Sequence, residues 1–322
     1  MSAFSQELEK FGPTARWPTM TLDQSRAYVL GLAKAHYENF PVVSLLFPKK
    51  LRPHVASIYA YCRWSDDLAD EVTGSDASLG LLDWWERELD ACFAGDSRHP
   101  VMIALGETVR AFAIPREPFI DLLSAFRQDQ STFAYETFED LLDYCRRSAN
   151  PVGRLVLYLL GSHEESRLFA SDSVCTGLQL ANFWQDVARD QAIGRIYLPR
   201  EDMLRFGVSN EEIVERRFSP RFADLLAFEV NRAETFLLQG AGVINGLPWR
   251  MRWVIGCFAQ GGLALLRKIR QSGHDVLRER PRLRHRDTLF VMANAMRLAC
   301  LAEPGRSATP AIRMDSPTAR ST

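Results

Sequence analysis

The spacing of apolar residues constrains this chain most strongly. From about Thr21 to Leu301 they recur mainly three and four residues apart, whereas strand-like alternation of apolar and polar residues is nearly absent. The pattern predicts an all-α protein. With ends uncertain by a few residues, the predicted helices cover 22–35, 51–71, 78–94, 99–113, 116–129, 137–148, 151–160, 166–190, 210–216, 219–244, 248–271 and 284–301.

No segment in this span has the Pro, Gly and Ser enrichment of an interdomain linker, and no repeat of fixed period is visible. A kink or break is expected at Asn150-Pro151, because a residue before proline disfavours helical backbone. We therefore predict an N-terminal extension over residues 1–20 and one helical domain over 21–301. Residues 302–322 are rich in small residues and proline and are predicted to form a disordered tail.

Composition narrows the partners. The net charge of −1 and the pI near 6.6 argue against a nucleic-acid protein that works through a basic face. Six scattered cysteines without a C-x-x-C pair indicate a reducing cytosol. The N-terminus lacks a secretory signal, and the longest uncharged stretch, Trp253–Leu266, is shorter than the roughly 20 residues of a spanning helix. We predict a cytoplasmic protein and leave peripheral contact with the inner face of the membrane open.

A first acidic cluster lies in the segment IYAYCRWSDDLADE, residues 58–71. At about 100° per residue, one sector of the helix carries Tyr59, Arg63, Asp66, Asp67 and Asp70. Like charges one turn apart near a helix C-terminus are unfavourable, so a cation is expected to offset them. The carboxylates suit Mg²⁺, and Arg63 suits a phosphate. The alternative is that this face belongs to a solvated surface helix. An exposed face rarely has an aromatic hydroxyl and a guanidinium beside three acids, which argues against that alternative.

A second cluster lies in GLQLANFWQDVARD, residues 177–190. A stripe of about 80° carries Gln179, Asn182, Asp186 and Asp190. Two such stripes on different helices could hold a diphosphate between them through bridging Mg²⁺. The following GRIYLP adds Arg195 and Tyr197, either as further phosphate donors or as parts of an ordinary loop.

Together with HYENF at 36–40 and YCRRSANPVG at 144–153, these motifs resemble the squalene/phytoene synthase family over about residues 23–302. The resemblance implies an isoprenoid-synthase fold, a single helical bundle around a central apolar cavity. It also implies a prenyl diphosphate substrate and Mg²⁺. By position, the implied metal ligands are Asp66, Asp70, Asp186 and Asp190, with Asp67 and Asn182 beside them. Implied substrate contacts are His36, Phe40, Arg63, Gln179, Asn182, Arg195 and Arg280, and the catalytic tyrosines placed near the departing diphosphate are Tyr59 and Tyr144.

Within the family, ENFPV at 38–42, SANPVGRLVL at 148–157 and GHDVLRERPRL at 273–283 resemble the members that form hydroxysqualene in bacterial hopanoid biosynthesis. Gln185 stands where many relatives have an arginine, and Gly262 where reductive or desaturating relatives have a tyrosine. Both departures fit a reaction that ends in capture of water. The expected reaction is conversion of presqualene diphosphate and water to hydroxysqualene and diphosphate, without NADPH.

Three alternatives remain at this stage. The chain could condense two prenyl diphosphates head to head, giving presqualene diphosphate, squalene or phytoene. It could be a non-catalytic assembly factor, although such a protein is expected to lose the carboxylates. Head-to-tail elongation or terpene cyclisation shares the metal chemistry but not the YCRWSDDLAD and SANPVG motifs. Transient contact with neighbouring pathway enzymes is also left open.

Overall fold

The computed structural model describes residues 3–35 and 47–302. These residues form fourteen α-helices and one 3₁₀ helix. The helices are α1 (Ala3–Phe11), α2 (Leu22–Ala35), α3 (Arg52–Asp70), α4 (Ser75–Ala94), α5 (Pro100–Phe112), α6 (Glu117–Gln128), α7 (Phe138–Ser148), α8 (Asn150–Leu159), α9 (Glu165–Ala192), α10 (Arg200–Phe206), α11 (Asn210–Val214), α12 (Pro220–Gln239), the 3₁₀ turn Gly240–Ile244, α13 (Trp249–Gln271) and α14 (His285–Leu301). Within those ranges the extended pairing is limited to one isolated bridge, between Ala134 and Ile196. The all-α prediction is confirmed.

Helix α9 is the central element of the bundle. Its 28 residues span about 42 Å at 1.5 Å per residue. It packs against α7, α8, α12 and α13. Helix α12 approaches it closely at Gly177, where a Cβ would lie 2.8 Å from a Leu237 side-chain carbon and 3.0 Å from the Ala233 carbonyl oxygen. The second acidic stripe therefore lies on a helix that is fixed along most of its length.

Helix α3, which carries the first acidic cluster, rests on an aromatic layer. Trp64 stacks on Trp85 with ring centroids 5.3 Å apart, and the ring of His99 meets that of Trp64 edge-on at 4.6 Å. His99 is fully buried, and its Nδ1 accepts a hydrogen bond from the Val101 amide, which caps α5. This layer holds the inner face of α3 and leaves the acidic face outward.

The N-terminal segment packs into the same core. Phe4 and Phe11 of α1 are buried, and the Phe4 ring contacts that of Trp64 at 5.2 Å. Helix α1 was not among the predicted helices, because nine residues are too few for the periodicity to stand out. The sequence predicted an N-terminal extension over residues 1–20. In the structure, residues 3–17 of this segment are part of the domain.

The predicted break at Asn150-Pro151 is confirmed. Helix α7 begins at a capping box formed by Thr137 and Asp140 and ends at Ser148. Helix α8 begins at Asn150, after the single intervening residue Ala149. Asn150 is buried and accepts a hydrogen bond of 3.0 Å from the Thr176 hydroxyl of α9. The break therefore turns the end of α7 towards the interior of the bundle.

The remaining differences from the predicted helices are small. Helix α10 was not predicted, because its seven residues are flanked by Pro199 and Gly207.

Among the helices of the described ranges, none combines the length and apolar character needed to cross a bilayer. The predicted disordered tail lies, from residue 303 onward, outside the described residues.

Candidate active site

The two acidic helices border a polar pocket of about 210 Å³, here called the carboxylate cleft. It lies between α3, α6, α7 and α9. Five of the predicted site residues meet in it, namely Asp66, Asp70, Tyr144, Gln179 and Arg195. The remaining lining residues are Leu122, Ala125, Phe126, Asp129 and Ser148.

The first acidic cluster is divided by Arg63. This guanidinium donates from Nε to Oδ2 of Asp67 at 3.0 Å and from Nη1 to Oδ2 of Asp66 at 3.3 Å. Asp67 is buried and does not line the carboxylate cleft, whereas Asp66 and Asp70 do. Burial, and secondly the charge of Asp70, raises the pKa of Asp66 to about 6. Burial likewise raises the pKa of Asp67 to about 7, against the opposing effect of Arg63.

Arg195 connects the two acidic helices. Its Nη2 lies 3.6 Å from a carboxylate oxygen of Asp70, and its backbone amide donates to the Asp190 carbonyl at 2.9 Å. Burial, followed by the charge of Asp186, raises the pKa of Asp190 to about 7, and the Arg195 charge acts against that rise. The backbone of Arg195 is thus joined to the second acidic helix, and its guanidinium lies next to Asp70 of the first.

The second acidic stripe meets the C-terminal part of the chain. Arg280 forms a bidentate ion pair with Asp186, with Nη2 2.9 Å from Oδ2. The same Nη2 donates to Oε1 of buried Gln185 at 3.0 Å, and the Gln185 amide donates to the Pro281 carbonyl. Arg280 therefore contacts the second acidic stripe, and its role in substrate binding stays a prediction. Asn182, one turn earlier on α9, is exposed.

Sequence reasoning missed Asp129. It is buried at the end of α6, accepts a hydrogen bond of 3.0 Å from the Tyr144 hydroxyl, and lines the carboxylate cleft. Burial raises its pKa to about 6. The available signal was an acid at a helix C-terminus, where the helix dipole disfavours it. That signal is weak without knowledge of the tyrosine.

An apolar cavity of about 300 Å³ lies next to the carboxylate cleft. Both are lined by Ser148 and Gln179. The other lining residues are Ala149, Val152, Gly153, Val156, Leu157, Ser171, Val174, Cys175, Leu178, Val243, Ile255 and Phe258. Ile255 and Phe258 belong to the uncharged stretch Trp253–Leu266, which contributes to the cavity wall. A charged head and an apolar chain could therefore occupy two adjoining spaces.

The two departures from the family pattern lie away from the cleft. Gln185 contacts Arg280 and Pro281 and lines neither the carboxylate cleft nor the apolar cavity. Gln185 therefore makes no direct contact with either space, and no contact accounts for its predicted effect on cation quenching. At Gly262 a Cβ would lie 2.8 Å from Leu178 and 3.0 Å from Leu237, so these leucines fill the space that a larger side chain would need.

Nine of the fourteen predicted site residues are not among the described residues that line the carboxylate cleft, namely His36, Phe40, Tyr59, Arg63, Asp67, Asn182, Asp186, Asp190 and Arg280. Tyr59 lies one turn before Arg63 on α3 and is half-buried, and burial raises its pKa. His36 and Phe40 lie outside the described residues. Within the described ranges, no three His, Cys, Asp or Glu side chains form a group that could hold a metal by themselves. Arg63 and Arg280 occupy several of the carboxylate oxygens instead.

Comparison with known proteins finds relatives of similar sequence and structure. The model of the squalene/phytoene synthase family matches residues 33–287. A hydroxysqualene synthase of Sinorhizobium fredii is 33% identical over 267 residues, covering 80% of this chain and 88% of that protein. A phytoene synthase of Arthrospira platensis is 29% identical over 281 residues, covering 83% and 91%. The crystal structure of the squalene synthase HpnC from Alicyclobacillus acidocaldarius is 43% identical with a TM-score of 0.76, covering 79% of this chain and 95% of that one.

The chain belongs to the squalene/phytoene synthase family. Its all-helical bundle is the isoprenoid-synthase fold of those relatives.

Proposed function

We propose that this protein converts presqualene diphosphate and water to hydroxysqualene and diphosphate, a step towards squalene and hopanoids. The observation that carries the proposal is that the carboxylate cleft and the apolar cavity adjoin, with Ser148 and Gln179 lining both. A diphosphate fits the first space and a prenyl chain the second. The 33% identity to a hydroxysqualene synthase favours hydration over other reactions of the family.

Mg²⁺ is part of the proposal. The pKa values of Asp66 and Asp190 are raised to about 6 and about 7, each by burial and then by a neighbouring carboxylate. Holding bare negative charge there is therefore costly, and a divalent cation would remove that cost. Mg²⁺ commonly takes one or two protein carboxylates and completes its shell with water and phosphate oxygens. The carboxylates Asp66, Asp70, Asp186 and Asp190 would hold it, and it would neutralise charge on the departing diphosphate.

The remaining roles belong to the residues of the chain. Arg195, whose guanidinium lies next to Asp70, would bind diphosphate oxygens and stabilise the negative charge that grows as the C–O bond breaks. Tyr144 and Asp129 form a buried hydrogen-bonded pair at the same wall, and Tyr144 can turn its hydroxyl towards the leaving group. The apolar cavity excludes bulk water from the carbocation until capture. NADPH has no part in this reaction.

Head-to-head condensation is the second candidate, because the 43% identical structure is named a squalene synthase. Purified protein should be incubated with Mg²⁺ and either presqualene diphosphate or farnesyl diphosphate, with and without NADPH, and the products identified by mass spectrometry. We expect hydroxysqualene from presqualene diphosphate, with no dependence on NADPH and complete loss in EDTA. A C30 product from farnesyl diphosphate alone would replace the proposal with condensation.

The same assay separates catalysis from a scaffolding role. Asp190→Asn should abolish turnover, whereas the exposed Asp96→Asn, a matched charge loss on another face, should not. If Asp190→Asn had wild-type activity, the carboxylates would have no role in the mechanism. Peripheral membrane contact and transient contact with pathway enzymes are further parts of the proposal, since both substrate and product are lipids.

A further inference from the structure

The boundary between the carboxylate cleft and the apolar cavity contains a hydroxyl without a partner. Ser148, the last residue of α7, lines both spaces. Its Oγ is buried, and no hydrogen-bond partner for it exists among the residues that the structure describes. A buried hydroxyl without a partner costs about 1–3 kcal/mol, so such a group calls for a bound water or ligand.

The other polar residues of the apolar cavity differ from Ser148. Ser171 interacts with the Cys175 thiol at the far end of the cavity. Gln179, which shares the boundary position with Ser148, has an amide with both donor and acceptor atoms. The rest of the cavity wall is formed mainly by aliphatic side chains. Polar groups able to hold a water inside this space are thus concentrated at the boundary.

The boundary is also where the reacting carbon must lie. With the diphosphate among the carboxylates and the prenyl chains in the apolar cavity, the carbon that joins them sits beside Ser148 and Gln179. We propose that Ser148, together with Gln179, positions the water molecule that captures the carbocation. This inference rests on the proposed hydration of presqualene diphosphate.

The chemistry balances without a further reactant. The C–O bond to diphosphate breaks, and its electron pair leaves with the diphosphate. After rearrangement of the cation, the oxygen of the held water forms the new C–O bond. The proton that this water loses passes to the departing diphosphate. Ser148 acts through the water and is therefore a positioning residue.

The test measures product partition rather than rate alone. With presqualene diphosphate and Mg²⁺, Ser148→Ala should lower the ratio of hydroxysqualene to hydrocarbon products by about 2- to 12-fold, the equivalent of one net hydrogen bond of about 0.5–1.5 kcal/mol. Diphosphate release should change much less. Ser148→Thr keeps the hydroxyl and should restore the ratio. Ser171→Ala, a matched hydroxyl loss at the far end of the cavity, should keep the wild-type ratio.

The outcomes are distinguishable. If wild type forms hydroxysqualene and Ser148→Ala forms it in an unchanged ratio, the role of Ser148 is wrong and the proposed function stands. If wild type releases diphosphate without forming any alcohol, the proposed function itself is wrong and this inference falls with it. A lowered ratio in both Ser148→Ala and Ser148→Thr would assign the effect to packing and also overturn the inference.

A separate observation concerns the surface around the start of α14. Residues 278–286 contain five arginines, although the whole chain has a net charge of −1. A basic surface cleft of about 790 Å³ is lined here by Lys268, Arg280, Arg282 and Arg284, with Glu279 as its acidic member. Arg280 is held by Asp186, whereas Arg282 and Arg284 are exposed.

Large apolar side chains are exposed beside this cleft. Leu283 lines it, and Leu289 and Phe290 of α14 are 67% and 53% exposed. Exposed leucine and phenylalanine next to arginines are typical of elements that lie in a lipid–water interface, whereas a nucleic-acid surface gains little from aliphatic side chains. We infer that this basic and apolar surface, residues 278–290 with Lys268, docks on an anionic phospholipid bilayer.

Vesicle co-sedimentation tests the docking surface. Wild type should bind vesicles of phosphatidylcholine with phosphatidylglycerol at least about 10-fold more tightly than phosphatidylcholine alone, since each basic residue near such a surface contributes about 1 kcal/mol. Arg282→Glu with Arg284→Glu should remove that preference, and Leu289→Ser with Phe290→Ser should weaken binding to both vesicles. Arg216→Glu with Arg217→Glu, a matched reversal elsewhere, should bind as wild type does.

Two further arms identify the ligand. Added inorganic phosphate, with the ionic strength held constant so that screening does not change, should leave the bound fraction unchanged, because the apolar contacts are made to lipid. Equal binding to both vesicles, displacement by phosphate, or tighter binding to RNA than to anionic vesicles would each overturn the docking proposal. None of these outcomes affects the assignment of Ser148.

Discussion

Acidification should destabilise the aromatic layer behind α3 through His99. His99 Nδ1 accepts the Val101 amide hydrogen bond, so Nε2 carries the ring proton and has no hydrogen-bond partner among the described residues. Burial lowers the pKa of His99 to about 3. Because this value lies below the unfolded-state value of about 6.5, the unfolded chain binds a proton first as the pH falls. The stability contributed by neutral His99 is complete above pH 6.5 and is lost between pH 6.5 and pH 3.

The magnitude follows from the two pKa values. When the pH falls from 7.5 to 5.0, protonation of His99 in the unfolded chain should lower the unfolding free energy by about 2 kcal/mol. His99→Asn keeps a good helix-capping residue that does not titrate. Raised carboxylate pKa values, such as those of Asp66 and Asp129, favour stability in acid, but they act equally in both proteins and cancel in the difference.

Urea unfolding of both proteins at pH 7.5 and 5.0, without Mg²⁺, measures this difference. The variant should be less stable than wild type at pH 7.5, because it loses the ring contacts, and the gap should narrow by about 2 kcal/mol at pH 5.0. A gap that stays constant within about 0.5 kcal/mol, the usual error of additivity, would show that His99 is not the acid-sensitive group of this layer.

Three further predictions concern the site. Gly153→Ala places a Cβ 2.4 and 2.5 Å from two cavity side chains, so the unfolding free energy measured by urea titration should fall by about 1–3 kcal/mol. In the same titration Gly261→Ala, whose Cβ meets nothing within 4 Å, should be neutral or stabilising. Arg195→Gln should lower kcat/KM roughly 10- to 150-fold by removing a charged phosphate contact, while exposed Arg200→Gln should not; equal effects would refute the role of Arg195. Tyr144→Phe should cost about 1.5–3 kcal/mol of unfolding free energy, since it removes the hydrogen bond to a buried carboxylate, and an unchanged urea midpoint would contradict that bond.

Most of the fold could be predicted from periodicity because the long helices each bury one face. Helix α9 is an example, since its apolar side and its oxygen-bearing stripe are both visible in the sequence. The break after Ser148 followed from Pro151 in the same way. Short elements could not be predicted: α1 buries Phe4 and Phe11 against residues far along the chain, and no local pattern reports such contacts.

The site could be predicted in part. Helical spacing placed Asp66 and Asp70 on one face of their helix and Gln179 on the stripe of another, and the structure brings the three to one cleft. Spacing could not separate Asp67 from its neighbours, because the position of Arg63 decides which carboxylate is buried. Asp129 belongs to the cleft through a tyrosine fifteen residues away, which is a tertiary contact and leaves no periodic signal.

Hydrogen bonds and an ion pair join Gln185 and Asp186 to the segment at Arg280 and Pro281. These contacts have a consequence for protein synthesis. Its partners lie 94 to 96 residues apart in the chain. At translation rates of about 5–20 residues per second, roughly 5 to 20 s separate the emergence of the second aspartate helix from that of its arginine. A nascent chain thus carries both acidic helices before the counter-charge of Asp186 exists, so the proposed diphosphate site matures late, when synthesis is nearly finished.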